Sequence, residues 1–286
     1  MEDLIKKAAD HLQANRFEEA ARELSEALKA DPDNVEILLN RGVALGLLGN
    51  YDEAIVDLTR AIGLDPNEAA LYENRGNALA GKGDFARAVE DYTQAADIHP
   101  EVASIFLNRG IARFRLNQSE AAIADFTRAL EIQPDMIEAH RYRGAAYSQS
   151  GDAARALEDF SAVVRLAPDD VAGYFNRGAA RFASQDYGGA VEDFTRCLNH
   201  HPDYPDALVM RGAARTQMNE FQAAVDDLSA AIDIDGKNAE AFHQRSRVWH
   251  AQGNLLQALS DARQAKAENP QDPRYAQWID FLEGKR

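Results

Sequence analysis

The sequence predicts an all-α solenoid built from eight tandem helix pairs, and three periodic features predict it. Prolines recur every 34 residues at Pro32, Pro66, Pro100, Pro134, Pro168 and Pro202, with Gly236 in the next place and Pro270 in the one after. Alanine keeps the same period at Ala20, Ala54, Ala88, Ala122, Ala156, Ala190, Ala224 and Ala258. Glycine does so at Gly42, Gly76, Gly110, Gly144, Gly178 and Gly212. A fixed period of this length marks stacked supersecondary units, each burying its apolar face against the next.

Eight units of 34 occupy 1–34, 35–68, 69–102, 103–136, 137–170, 171–204, 205–238 and 239–272, and leave 273–286. No insertion breaks the count, so the chain reads as a single solenoid domain over 1–286. With the proline numbered 32 in each unit, positions 4, 8 and 11 form one stripe and 20, 24 and 27 another, both at helical spacing. Small residues at 8 and 20 let the two helices approach. The turn between them carries Gly49-Asn50, Gly83-Asp84 and Gly151-Asp152. Glycine suits the end of the first helix, and Asn or Asp can cap the second. The proline ends the second helix, and Gly236 is expected to do so as a C-cap in the seventh unit. In 273–286, Tyr275, Trp278, Ile279 and Leu282 read as one face of a capping helix over the last unit.

This pattern resembles the tetratricopeptide repeat (TPR) family, over residues 1–272. The resemblance implies a right-handed superhelical solenoid whose first helices line a concave groove. It also implies protein binding, while leaving the biological role open.

Composition narrows the partners. Against 31 Lys and Arg stand 47 Asp and Glu, a net charge of −16, and the basic residues are spread along the chain. Such a surface repels phosphate backbones, so nucleic acid is not expected as a partner. No apolar run approaches the roughly 20 residues of a membrane span. The start, Met-Glu-Asp-Leu-Ile-Lys-Lys, lacks a signal peptide's apolar segment, and a cytoplasmic location is expected. A single cysteine, Cys197, permits no internal disulfide.

Position 7, where the family usually has leucine, holds Arg41, Arg75, Arg109, Arg143, Arg177, Arg211 and Arg245. Position 23 holds Asp57, Asp91, Asp125, Asp159, Asp193, Asp227 and Asp261. Both lie on inward stripes. Repeat 1 keeps the signs with Lys7 and Glu23. Because buried charges persist only when paired, the plain reading is one structural ion pair per helix pair. The alternative is an arginine row for an anionic ligand.

By the resemblance, positions 2, 5, 6, 9, 12 and 13 face the groove. Position 6 carries Asn40, Asn74, Asn108 and Asn176, interrupted by Tyr142 and Met210, with Gln244 as a partial substitute. An amide offers an acceptor and two donors, which suits extended peptide backbone. The row is similar to the asparagine ladder in the TPR arm of O-linked N-acetylglucosamine transferases. Asn77, Arg141 and Arg247 add polar groove positions, and Phe114, Phe175 and Phe182 add apolar ones. Leu107, Val209 and Met210 join the apolar set, as ligand anchors or as packing between neighbouring first helices. The carboxylate clamp of Hsp70/Hsp90 co-chaperones needs Lys and Asn at positions where this chain has Ile5 and Ala9, or Arg141 and Ala145, so that class is excluded.

Two motifs fail on context. Gly76-Asn77-Ala78-Leu79-Ala80-Gly81-Lys82 imitates a phosphate loop, but Gly83 stands where a hydroxyl is needed and no strand precedes it. His243 and His250 share a helix face without a further ligand at metal spacing. No cofactor, metal or catalytic arrangement is expected. The expected function is that of an adaptor binding an extended segment of another protein along residues 36–250. The alternatives are a self-assembling scaffold, or a recognition arm for an enzyme on another chain.

Overall fold

The computed structural model describes residues 2–284, which form seventeen α-helices and contain no strand. They fall into two compact units, Met1–Ser150 and Gly151–Arg286. The first unit holds α1 (Glu2–Gln13), α2 (Phe17–Ala30), α3 (Val35–Leu47), α4 (Tyr51–Leu64), α5 (Ala69–Lys82), α6 (Phe85–Ile98), α7 (Ala103–Arg115), α8 (Ser119–Ile132) and α9 (Ile137–Gln149). The second holds α10 (Ala153–Leu166), α11 (Val171–Ala183), α12 (Tyr187–His200), α13 (Pro205–Gln217), α14 (Phe221–Ile234), α15 (Ala239–Ala251), α16 (Leu255–Glu268) and α17 (Pro273–Leu282). Within each unit, paired helices run antiparallel. Arg177 bonds Asp193, and Arg181, one turn later, bonds the carbonyl of Gly189, one turn earlier. None of the helices is long and apolar enough to cross a membrane, among the described residues.

The turn inside each pair depends on one left-handed residue. Asn15, Gly49, Gly83, Asn117, Gly151, Gln185, Asn219 and Gly253 all have φ between 55° and 88°. The following N–H then reaches back to a carbonyl five residues earlier, as in Asn50 to Leu45, Asp84 to Leu79 and Asp186 to Arg181. This closes the first helix with a Schellman-type bond. Asp84 and Asp152 cap the next helix by accepting from the amides of Arg87 and Arg155, whereas Asn50 makes no such bond.

The second helices end differently from expectation at Gly236. Helix α14 stops at Ile234 with Asp235 extended (φ −128°, ψ 92°), and Gly236 stays outside the left-handed region. Asp31, Asp65, His99, Gln133, Ala167, His201 and Asn269 end their helices in similar backbone conformations, each returning its N–H to the carbonyl four residues back. A following proline disfavours helix at the residue before it. Asp235 adopts the same bend without one, so the stop belongs to the packed fold and not to a glycine cap.

Position 8 is small because position 24 is large. A Cβ on Gly110 would lie 2.6 Å from the ring of Phe126, and one on Gly76 would lie 2.8 Å from the ring of Tyr92. Repeat 8 reverses the sizes, with Ser246 at position 8 and Ala262 at position 24, both buried. The capping helix α17 meets this end as expected. Tyr275 and Leu282 are buried, and the Trp278 indole N–H donates to Ser246 Oγ at 2.8 Å. Phe281, 58% exposed, stacks on Trp278 at 5.1 Å and meets His250 of α15 at 5.4 Å at the rim of this cluster.

Candidate functional site

The ion pairs form as the sequence predicts in six repeats. Arg41, Arg75, Arg109, Arg177, Arg211 and Arg245 each hold Asp57, Asp91, Asp125, Asp193, Asp227 and Asp261 in turn, at 2.6–2.8 Å at the closest. Both Nε and an Nη take part, the forked geometry that makes arginine–carboxylate contacts strong. Arg143 and Asp159 belong to different units. The aspartates are buried, whereas the arginine side chains keep 13–25% of their surface open. Lys7 departs from the pattern, pairing with Asp3 on its own helix instead of Glu23. Its side chain stays half in solvent.

Two features of this ladder escape the sequence reading. First, Nη1 of six arginines donates to the hydroxyl at position 25 of the preceding repeat. Ser25, Thr59, Thr93, Thr127, Thr195 and Ser229 receive Arg41, Arg75, Arg109, Arg143, Arg211 and Arg245 at 2.9–3.3 Å. Each arginine therefore ties its own helix pair to the one before it. The recurrence of Ser or Thr at position 25 carried this signal. Second, three aspartates hold two arginines. Arg113 reaches Asp125 at 2.8 Å, Arg181 reaches Asp193 at 3.1 Å, and Arg215 reaches Asp227 at 2.7 Å. In repeat 8 the Trp249 indole N–H takes that role toward Asp261. With these six aspartates each holding at least one arginine, the geometry favours the structural reading of these arginines over an anion-binding row.

The asparagines at position 6 are all half-buried, and they differ in how far they are satisfied. The Asn40 and Asn176 amides find no hydrogen-bond partner among the described residues. Asn74 donates to the carbonyl of Ala70 at 2.8 Å, and Asn108 donates to Asn77 Oδ1 at 3.2 Å. Two of the four rungs are thus already partnered, because a short amide on a helix reaches its own backbone or a side chain of the preceding repeat. Asn77 is exposed, and its Oδ1 also accepts from the Tyr92 hydroxyl at 2.8 Å. Burial pushes that hydroxyl well above the ordinary tyrosine range, so it stays a donor. Gln244 is bonded to Glu240 at 2.6 Å and accepts from Arg247, whose side chain is exposed. Arg141 is half-buried and already engaged within the protein.

The aromatic groove residues pack between helices. Phe175 lies 5.7 Å from Phe194 and 5.3 Å from Tyr204. Phe182 lies 5.4 Å from Tyr187, and Phe114 lies 6.5 Å from Tyr142. Tyr142 itself stacks on Phe126 at 5.9 Å, which explains why the asparagine row breaks there. Val209 is buried and Met210 packs against the Phe194 cluster. Phe114, Phe175 and Phe182 each keep partial exposure.

The first unit also has an open cavity of about 330 Å³ on this face. It is lined by Val43, Gly46, Leu47, Tyr51, Asn74, Asn77, Ala78 and Gly81. The phosphate-loop imitation, Gly76–Lys82, lies wholly within α5. Cys197 is buried with its thiol against the carbonyl of Val171, and burial pushes its pKa up to about 12. His243 is buried against Tyr275 and Trp278. Among the described residues, no group of three or more His, Cys, Asp or Glu is placed to hold a metal ion.

One tetratricopeptide repeat model matches residues 5–71 and 73–137, and a second matches 144–215. No curated protein matches the chain. Among solved structures, the APC/C hetero-tetramer Cut9–Hcn1 is 15% identical with a TM-score of 0.60, covering 98% of this chain. The chain spans 55% of that relative's length. The C-terminal part of a TPR repeat-containing protein from Cytophaga hutchinsonii is 16% identical with a TM-score of 0.69, covering 84% of this chain and 99% of that one. YrrB, titled a TPR protein with an unusual peptide-binding site, is 23% identical with a TM-score of 0.59, covering 66% of this chain and 97% of its own. At these identities the structures speak for fold alone. The repeat-model matches and the stacked helix hairpins together place the chain in the tetratricopeptide repeat family, whose repeats build protein–protein interaction scaffolds.

Proposed function

We propose that the chain captures an extended segment of a partner protein on the face formed by its first helices. The observation that carries this reading is the recurrence of asparagine at position 6, at Asn40, Asn74, Asn108 and Asn176, on half-exposed helix surface. Asparagine is a poor helix former, and alanine would cost the helices less. Its retention there fits a use for the amide. Asn40 and Asn176 keep both amide groups for a ligand. Asn74 keeps its carbonyl, and Asn77 keeps its amide donor, since its own carbonyl is taken by Tyr92 and Asn108. Arg247, Phe114, Phe175 and Phe182 would supply side-chain contacts in the same role. YrrB, a neighbour in fold, has a peptide-binding site of its own, and the same class of ligand is proposed here.

The test is a pull-down with the purified chain, followed by affinity measurements on the captured segment. In the triple variant Asn40→Ala, Asn74→Ala, Asn108→Ala, each lost neutral hydrogen bond should cost about 0.5–1.5 kcal/mol. The sum weakens binding by roughly one to three decades if the sites act independently. The melting temperature should hold or rise, because alanine is the better helix former. Unchanged affinity with an intact fold would move the partner to another surface.

A further inference from the structure

We infer that the cavity between α3 and α5 is a side-chain subsite for a leucine-sized apolar residue, in a peptide that also carries a lysine or arginine within two residues of it. This rests on the reading that the first-helix face holds extended peptide.

Two glycines off the 34-residue period create the cavity. A Cβ on Gly81 would lie 2.5 Å from the ring of Tyr51, so glycine there lets Tyr51 lie across α5 and form one wall. A Cβ on Gly46 would meet nothing within 4 Å, so glycine there leaves the mouth open. Glycine inside a helix is costly, and no contact inside the protein requires it at Gly46. Val43 and Ala78 line the cavity, and Leu47, 59% exposed, stands at it as well. An exposed leucine beside an open apolar cavity is surface that an apolar ligand group would cover.

Polar groups among the lining residues match one residue of extended chain. Asn77 Oδ1 is saturated by Tyr92 and Asn108, which turns its Nδ2 into the available donor. Asn74 Nδ2 is spent on Ala70, which leaves Oδ1 as the available acceptor. A residue whose side chain fills the cavity can offer its carbonyl to Asn77 and its N–H to Asn74. The charge nearby is negative. Glu73 lies four residues before Asn77 on the same face of α5, where its Oε1 accepts from Ser104 at 2.9 Å and its charge remains, and Glu36 lies in the first turn of α3. Nearby Lys82 is held by Asp52. One helical turn is about 5.4 Å and an extended residue spans about 3.3–3.6 Å, so a basic side chain one or two positions along reaches Glu73.

The probe is a phage-displayed library of random dodecapeptides, panned on the full chain, with enriched sequences synthesised and their affinities measured. The enriched peptides should share an aliphatic residue with a Lys or Arg within two positions. Gly46→Leu should fill the cavity and weaken them at least tenfold without lowering the melting temperature. Glu73→Gln should weaken them severalfold and flatten their salt dependence. Peptides that ignore Gly46→Leu but are lost in the Asn40, Asn74, Asn108 triple variant overturn the subsite and leave groove capture standing. Peptides indifferent to both variants, or no enrichment at all, overturn both.

Discussion

At the scale of single residues, the buried aspartates at position 23 decide more than any groove residue does. Asp125 accepts from Arg109 and Arg113, and through Arg109 it is linked to Thr93 in the preceding repeat. Its removal leaves two guanidinium groups without their acceptor. Breaking a buried pair typically costs about 3–5 kcal/mol, and the partial water access of Arg109 and Arg113 puts Asp125→Ala near the low end. Chemical denaturation of the variant measures this directly. A loss below about 1 kcal/mol, the worth of an exposed surface pair, would make the ladder incidental to stability. Sequence periodicity exposes the aspartates and arginines because each sits in a fixed register. It hides the second arginine, since position 11 also holds Leu45, Leu79 and Tyr147 in other repeats and reads there as core.

At the scale of elements, α17 is the piece whose attachment should respond to pH, through His243. His243 on α15 is 8% exposed, its ring lies 5.1 Å from Tyr275, and its Nδ1 finds no hydrogen-bond partner among the described residues. Burial lowers its pKa from the ordinary 6.5, and Arg247 and Arg274 push the same way against the opposing pull of Glu240 and Asp272. A depressed histidine pKa means the docked state prefers the neutral ring, while the undocked chain binds a proton more readily. The stabilisation is complete above the ordinary value near 6.5 and is lost as pH falls through the lower docked value. Acidification from pH 7.5 to 5 should therefore lower the melting temperature more in the parent chain than in His243→Gln. The aromatic contacts of α17 should loosen in the parent first, read as a change in Trp278 fluorescence. Equal pH slopes for the two proteins would remove His243 from the cap's energetics.

At the scale of the whole molecule, the all-helical repeat fold was legible because repeats 2 to 7 solve the same packing problem with Arg, Gly, Ala and Asp at positions 7, 8, 20 and 23, and the end repeats keep the alanine at 20. The candidate site was legible only in outline. The asparagine row stands out by register, but whether an amide is free depends on neighbours one repeat away, as Asn108 and Asn77 show. The break at Tyr142 follows from Phe126 in the preceding repeat, a contact that no local pattern announces. The cavity beside Gly46 and Gly81 was invisible because neither glycine recurs at its position in the repeat. One global property is set by composition alone. With 47 acidic against 31 basic residues, the net charge of −16 opposes compaction by self-repulsion. Salt screens exposed charges beyond a Debye length, about 10 Å at 0.1 M, and screens buried pairs much less. The Arg–Asp ladder is close-contact, forked and anchored on buried carboxylates, so added salt should relieve the repulsion while leaving the ladder largely intact. The melting temperature should rise by about 2–4 °C between 10 mM and 300 mM sodium chloride, the shift that about 1 kcal/mol makes in a chain of roughly this size. A fall over that range would mean that exposed ion pairs such as Arg60–Asp33 and Lys82–Asp52 outweigh the net repulsion.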